Sequence, residues 1–192
     1  AFSSFYLAVY LLLLALFFRA ISFEFRGKVE SPGWRKFWDY SFGIGSLLPA
    51  VLLGVAYGNI LRGLPLNEEK IFTGGFIDLL NPYAILIGVL ALIMCLMQGA
   101  IYLTHKTDGE LKEKYEKLAT KFWVAFVALW FFVTIASLFV SKFLFDGITK
   151  SPFFWILFIL FLISIVMIPV TLKAKKNKNA FLFSSLSIFF MI

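Results

Sequence analysis

The chain has 192 residues, of which 61% are hydrophobic and 15% charged, and its formal net charge is +7. Average soluble domains are roughly 45–50% apolar and about 25% charged, so this composition excludes an ordinary soluble domain and indicates a membrane protein. With one cysteine, Cys95, and one histidine, His105, the chain cannot form an internal disulfide, a thiolate cluster or a zinc site.

Six apolar stretches predict membrane helices. About 20 apolar residues cross the roughly 30 Å hydrocarbon core; five stretches are near that length and the sixth is too short. The predicted spans are 2–18, 42–61, 82–103, 122–141, 153–172 and 180–192. We therefore predict an all-α polytopic transmembrane bundle, with a single membrane-embedded domain over residues 1–192. Because the last span is incomplete and the chain opens on Ala1, we expect an internal fragment of a longer protein.

The connections between these spans alternate in charge, which predicts their orientation. The first, third and fifth connections are rich in lysine and arginine and should be cytoplasmic, whereas the second and fourth should face outside. This topology accounts for the net charge without nucleic acid, and basic loops of this kind also contact anionic lipid. The rich connections contain Arg26, Lys28, Arg35 and Lys36; then Lys106, Lys112, Lys114, Lys117 and Lys121; then Lys173, Lys175, Lys176 and Lys178.

Two opposite charges lie where the first two helices meet the cytoplasmic face. Arg19 follows the first predicted span, and Asp39 precedes the second. Charges near hydrocarbon are costly unless they find a partner or water, so we predict an Arg19–Asp39 ion pair beside a functional site or proton route. Two plainer alternatives stay open: both side chains reach cytoplasmic water, or Asp39 pairs with Arg35 one turn earlier.

A helix is predicted to start at Ser31-Pro32 and to carry Trp34 and Trp38 as an interfacial anchor. If this helix continues into the second span, one stripe of it contains Asp39 followed mainly by small residues. Small residues spaced by four let helix backbones approach closely in lipid. We therefore predict tight helix packing at Ser46, Ala50, Gly54 and Gly58.

The third span is predicted to begin with Asn81 as a cap and Pro82 in the first turn, and Gln98 near its end should face protein. The charges from Lys106 to Lys117 alternate in sign, which is typical of a solvated surface helix. A haem held by paired imidazoles needs histidines within the apolar spans. Because His105 lies in a predicted hydrophilic loop, we expect this chain to supply no haem ligand.

Several motifs, in this order, resemble subunit II of the cytochrome bd quinol oxidases. The resemblance is carried by Phe17-Phe18-Arg19, Phe23-Glu24-Phe25-Arg26, Trp34-Arg35, Trp38-Asp39, Gly45-Ser46, Pro49, Gly54-Val55-Ala56-Tyr57-Gly58-Asn59, Gly63, Pro65, Asn67, Leu80-Asn81-Pro82-Tyr83, Gln98-Gly99-Ala100, Tyr102-Leu103, Thr107-Asp108-Gly109-Glu110-Leu111 and Phe183-Ser184-Ser185-Leu186. The fourth and fifth spans resemble the family mainly in hydropathy.

The resemblance implies a subunit of about eight helices in the prokaryotic cytoplasmic membrane, of which this chain would be the middle six. Its partner, subunit I, would bind two haems b and a haem d or third haem b, oxidise quinol and reduce dioxygen to water. The resemblance leaves open whether a small single-helix third subunit joins such a complex. The resemblance places Arg19 and Asp39 near the haem-bearing interface, with Glu24, Asn59 and Gln98 as weaker candidates.

Two functions from other classes compete with this interpretation. Pro49 and Asn59 within one helix could belong to a broken helix of a secondary transporter or permease, which places such groups near the bilayer midplane. The bundle could also be a structural membrane scaffold without a redox partner. The sequence leaves open whether the quinol is ubiquinol or menaquinol, and whether a quinone binds between these helices.

Overall fold

The computed structural model describes residues 5–64, 75, 77–141 and 151–191, and within these ranges it contains helices and no strand. In these described ranges, six α-helices and a short 3-10 helix follow one another. They are α1 (Tyr6–Phe25), α2 (Pro32–Arg62), the 3-10 helix Ile77–Leu79, α3 (Pro82–Lys106), α4 (Gly109–Val140), α5 (Pro152–Lys173) and α6 (Asn177–Met191). The prediction of an all-helical polytopic protein is confirmed.

Helices α1 to α5 are long and apolar enough to cross a bilayer, and α6 has 15 residues. These helices match the six predicted spans in order. Residues 2–4 of the first predicted span and Ile192 of the last lie outside the described residues.

Three predicted boundaries are wrong because no glycine or proline interrupts the chain there. Helix α1 continues past residue 18 to Phe25, so Arg19 lies within the helix rather than at its end. Helix α3 continues to Lys106, so His105 is helical and not in a loop. The charged segment after Gly109 joins the fourth span in one helix of 32 residues. The predicted continuation of the tryptophan-bearing helix into the second span is confirmed by α2.

The chain divides into two compact units, Ala1–Leu92 and Ile93–Ile192. In the first unit, α1 and α2 form a helical hairpin. An ideal Cβ added to Gly45 of α2 would lie 2.6 Å from the backbone oxygen of Ala15 in α1, so only glycine permits this approach. The single domain predicted over residues 1–192 stays a prediction.

The other half of α2 packs against α3, also through small residues. An added Cβ at Gly54 would lie 2.7 Å from Gly88 Cα and from Ala91 Cβ, and one at Gly58 would lie 2.8 Å from Ala84 Cα. The backbones therefore approach without side chains between them, as small residues allow in membrane helices. Asn81 accepts a hydrogen bond from the Ala84 amide at 2.9 Å, which confirms its predicted role as the cap of α3.

In the second unit, α5 and α6 form another helical hairpin beside the end of α3 and the length of α4. Met97, Ile101, Phe126 and Ile168 are among its most buried side chains. Trp123 of α4 donates from its indole nitrogen to the Ile165 carbonyl of α5 at 3.0 Å. On α6, Ser184 and Ser187 are fully buried and bond to carbonyls of their own helix. These small side chains allow α6 to pack closely.

Candidate functional site at the α1–α2 turn

Aromatic side chains hold the turn between α1 and α2. Trp34 donates from its indole nitrogen to the Phe25 carbonyl at 2.7 Å, which ties the first turn of α2 to the last residue of α1. Trp38 is only 7% exposed, and its ring centroid lies 5.3 Å from that of Phe25 and 5.6 Å from that of Trp34. Because these rings fix both helix ends, the charged groups beside them have fixed backbone positions.

Asp39 pairs with Arg26 across this turn. The Nε of Arg26 donates to Oδ1 of Asp39 at 2.5 Å, and Nη2 donates to Oδ2 at 3.3 Å, so both carboxylate oxygens are engaged. The bond to Asp39 holds the pKa of the Arg26 guanidinium above its usual range. The side chains are 53% and 54% exposed, respectively. The pair is therefore a fork of two charge-assisted bonds that remains in contact with solvent.

The predicted Arg19–Asp39 ion pair is wrong, and so is the alternative in which Asp39 pairs with Arg35. Because α1 extends six residues beyond Arg19, this arginine lies about 9 Å along the helix from Phe25, and Arg26 is the cation that reaches Asp39. The guanidinium of Arg19 instead lies 5.8 Å from the ring centroid of Phe42. Arg19 is exposed and has no ion-pair partner among the described residues.

The weaker candidates in this unit have local partners. Glu24 lies 3.9 Å from Lys28 one turn later, and both side chains are well exposed. Asn59 is 3% exposed; its amide nitrogen donates to the carbonyls of Val55 and Leu79, and its oxygen accepts from Asn81 at 2.8 Å. Every polar atom of the Asn59 side chain is thus bonded. Asn59 joins α2 to the beginning of α3, which is a structural role.

In the second unit, Gln98 donates to the Ser185 hydroxyl of α6 at 2.8 Å, and its side-chain oxygen is buried without a hydrogen-bond partner. Gln98 therefore faces protein and links α3 to α6.

The small residues predicted to pack have different surroundings. Gly54 and Gly58 lie against α3, whereas Ser46 and Ala50 are half-buried, and Ser46 bonds to the Phe42 carbonyl of its own helix at 2.7 Å. Gly45, which packs against α1, was not among the residues that the sequence predicted to pack closely. A stripe that steps by three and four from Asp39 passes through Gly43 instead, and a Cβ added there would have no neighbour within 4 Å.

A haem held by two imidazoles needs two histidines, and this chain has one. The single histidine, His105, is exposed in the last turn of α3. Within the part of the chain that the structure describes, no three histidine, cysteine, aspartate or glutamate side chains cluster as metal ligands. The polar groups described here can bond to one another, face solvent or meet a partner protein.

Five apolar helices, tightly packed small residues and a charged turn define a polytopic helical membrane protein. More particularly, the chain belongs to the family described as cytochrome bd terminal oxidase subunit II, which it matches over residues 1–192. The family resemblance seen in the sequence is thereby confirmed.

The chain is similar to three curated relatives. Cytochrome bd-I ubiquinol oxidase subunit 2 of Escherichia coli K12 is 46% identical over 115 residues, which cover 58% of this chain and 30% of that protein. Probable cytochrome oxidase subunit 2 of Haemophilus influenzae is 42% identical over 118 residues, 59% of this chain and 31% of that protein. Cytochrome bd ubiquinol oxidase subunit 2 of Bacillus subtilis is 33% identical over 176 residues, 91% of this chain and 51% of that protein. The matched part is thus about a third to a half of each relative.

Proposed function

We propose that this chain acts within the second subunit of a quinol oxidase, beside a subunit I that contains the haems, in a prokaryotic cytoplasmic membrane. The complex would oxidise quinol and reduce dioxygen to water by four electrons. The observation that carries this proposal is the family match over residues 1–192, together with two relatives named as ubiquinol oxidase subunits. Haem b, with haem d or a third haem b, would belong to the partner, since the single histidine here does not fit paired ligation.

Arg19 is the group that we propose to face the partner subunit. It lies inside an apolar helix, it is exposed, and it has no described ion-pair partner. Charged side chains at such depth are costly, and the contact with the Phe42 ring offsets only part of that cost. An anionic group of subunit I, close to its haems, would supply the missing counter-charge.

Asp39 is proposed to serve a proton route from the cytoplasm. Its carboxylate is half exposed and accepts two bonds from Arg26, so water reaches it at the end of the helical hairpin. Glu24, Asn59 and Gln98 have local partners that account for them without a catalytic role. A small third subunit remains part of the proposed assembly, as does the quinol of unspecified type.

The experiment isolates the full-length protein with its native partners and measures quinol-dependent oxygen uptake. Arg19→Gln and Asp39→Asn are compared with Arg35→Gln, a matched control on an exposed arginine of the same unit. We expect both test variants to lose turnover and the control to keep it. Wild-type turnover in both test variants would contradict the residue roles. A wild-type complex that takes up no oxygen with quinol, or that transports a solute instead, would contradict the function itself.

A further inference from the structure

The turn between α5 and α6 places a lysine in an unusual backbone conformation. Lys175 has φ of 56° and is the one non-glycine residue with positive φ in the described part of the chain. The Lys175 amide bonds to the Leu172 carbonyl at 3.0 Å, and the Lys176 amide bonds to the Thr171 carbonyl at 2.9 Å. This pair of bonds is the Schellman arrangement, whose left-handed position is usually glycine. Here that position carries a long cationic side chain.

A cleft of about 360 Å³ lies beside this turn. Basic side chains from three elements line it: His105 from the end of α3, Lys112 from α4, and Lys175, Lys176 and Lys178 from the turn and the start of α6. The four lysines thus converge from two separate parts of the sequence. A polar cleft of this size accommodates a phosphate group and the atoms attached to it.

The lysines of the turn and of the start of α6 have no acidic residue near them in the sequence. No aspartate or glutamate occurs from residue 173 to residue 192. None of the four lysines has a described carboxylate within ion-pair distance. Lysines at the beginning of a helix also oppose its dipole, which favours anions there. An anion in the cleft would relieve both effects.

A buried asparagine, Asn177, lines the cleft. Asn177 is 6% exposed, and its amide nitrogen donates to the Thr104 carbonyl of α3 at 2.9 Å and to Oε1 of Glu116 at 3.4 Å. Its side-chain oxygen is buried without a hydrogen-bond partner. Glu116 therefore contacts the amide of Asn177 and forms no described ion pair with a lysine of the cleft. Because Asn177 bonds to both α3 and α4, the α5–α6 turn has a fixed position beside these helices.

We propose that this cleft binds a phosphate group, either in the head group of an anionic phospholipid or as a free phosphate anion. Helix α5 is predominantly apolar and ends at Lys173, which puts the cleft at the level where head groups meet water. Lysine is a good point-charge partner for phosphate. The left-handed turn at Lys175 and the convergence of Lys112 on the lysines of this turn distinguish the site from a basic loop that serves topology alone.

The test uses the full-length protein in its native complex, purified in a neutral detergent. Native mass spectrometry measures the dissociation constants of dioctanoyl phosphatidylglycerol and of zwitterionic dioctanoyl phosphatidylcholine. Lys175→Gly removes one charge but keeps the left-handed turn, and Lys175→Gly with Lys178→Gln removes two. Lys114→Gln is the matched control, because residue 114 lies on the face of α4 opposite to Lys112 and does not line the cleft.

We expect phosphatidylglycerol to bind more tightly than phosphatidylcholine, and each lysine removed from the cleft to weaken it about fivefold. The control should bind as the wild type does. Competition by sodium phosphate would identify free phosphate as the ligand, and its absence would identify the lipid. The proposal is overturned if the double variant binds phosphatidylglycerol as the wild type does, if Lys114→Gln weakens binding equally, or if neither phosphatidylglycerol nor phosphate binds.

Discussion

The turns of the two helical hairpins differ in whether their basic residues have an acidic partner. At the α1–α2 turn, Arg26 finds Asp39 in the following helix, and tryptophans fix the backbone around the pair. At the α5–α6 turn, Lys175 and its neighbours find no carboxylate, because none occurs in α6 or in the turn. The basic residues of a turn in a membrane protein can thus form an ion pair within the chain or remain as unpaired cations. The presence of an acid within reach decides between them.

The first hairpin is closed over a glycine, and a substitution at this glycine should give the largest effect on stability. Gly45→Ala places a Cβ 2.6 Å from the Ala15 oxygen and 3.0 Å from the Arg19 amide, so α1 and α2 must separate. Overpacking of this kind costs about 1–3 kcal/mol. We expect a lower melting temperature of the purified complex.

Gly43→Ala is the matched control for Gly45→Ala, since its added Cβ meets nothing within 4 Å. Alanine is favoured over glycine in a helix by up to about 1 kcal/mol, so this variant should be neutral or more stable. Equal melting temperatures for the two variants would contradict the close α1–α2 contact.

A substitution in the strained turn of the second hairpin should give the next largest change in melting temperature, and this change should be an increase. Lys175→Gly relieves a left-handed conformation that costs an L-residue about 1 kcal/mol. We expect this variant to raise the melting temperature of the lipid-free complex while it weakens phosphatidylglycerol binding. Lys176→Gly, one residue later, should not be stabilising, because Lys176 has no positive φ. Destabilisation by Lys175→Gly would contradict the described turn.

Gln98 tests a polar contact between helices in the second unit. Gln98→Leu removes the bond to Ser185, and hydrogen bonds between membrane helices contribute about 0.6 kcal/mol on average. The lost bond is partly offset because the unpartnered oxygen of Gln98 is removed as well. We expect a small decrease in the melting temperature, matched by Ser185→Ala. A loss of assembly in Gln98→Leu alone would indicate a role beyond this bond.

Loss of the Arg26–Asp39 ion pair should cause the smallest change in stability, because both side chains are half exposed. A double-mutant cycle with Arg26→Gln and Asp39→Asn should show coupling that weakens as salt rises. The same cycle with Arg35→Gln in place of Arg26→Gln should show none. Coupling of Asp39 to Arg35 but not to Arg26 would contradict the pairing.

Hydropathy was enough to predict the helices, their order and the membrane class, because five of the six spans repeat the same apolar signal over about 20 residues. Helix ends were harder to predict. Arg19 looked like the end of a helix because it is charged, yet no glycine occurs before Gly27 and the helix continues to Phe25. The partner of Asp39 depends on where α1 ends, so the wrong end produced the wrong pair.

Two further features depend on geometry that spacing does not determine. Whether Gly43 or Gly45 meets α1 depends on the rotation of α2, and the stripe drawn from Asp39 passes through Gly43 but not through Gly45. The left-handed turn at Lys175 could not be predicted because lysine is rarely found there; only the run of lysines around it was visible. In contrast, the Asn81 cap was predictable because its partner, the Ala84 amide, lies three residues away.

The central claim is that this chain works beside a partner that contains the haems. The most direct measurement is the reduced-minus-oxidised absorption spectrum of the native complex, isolated through a tag on the full-length protein that contains this chain. We predict bands of haem b, with or without haem d, in constant ratio to the tagged subunit. A colourless preparation, in which the tagged subunit is intact and active without any haem-bearing partner, would contradict the claim.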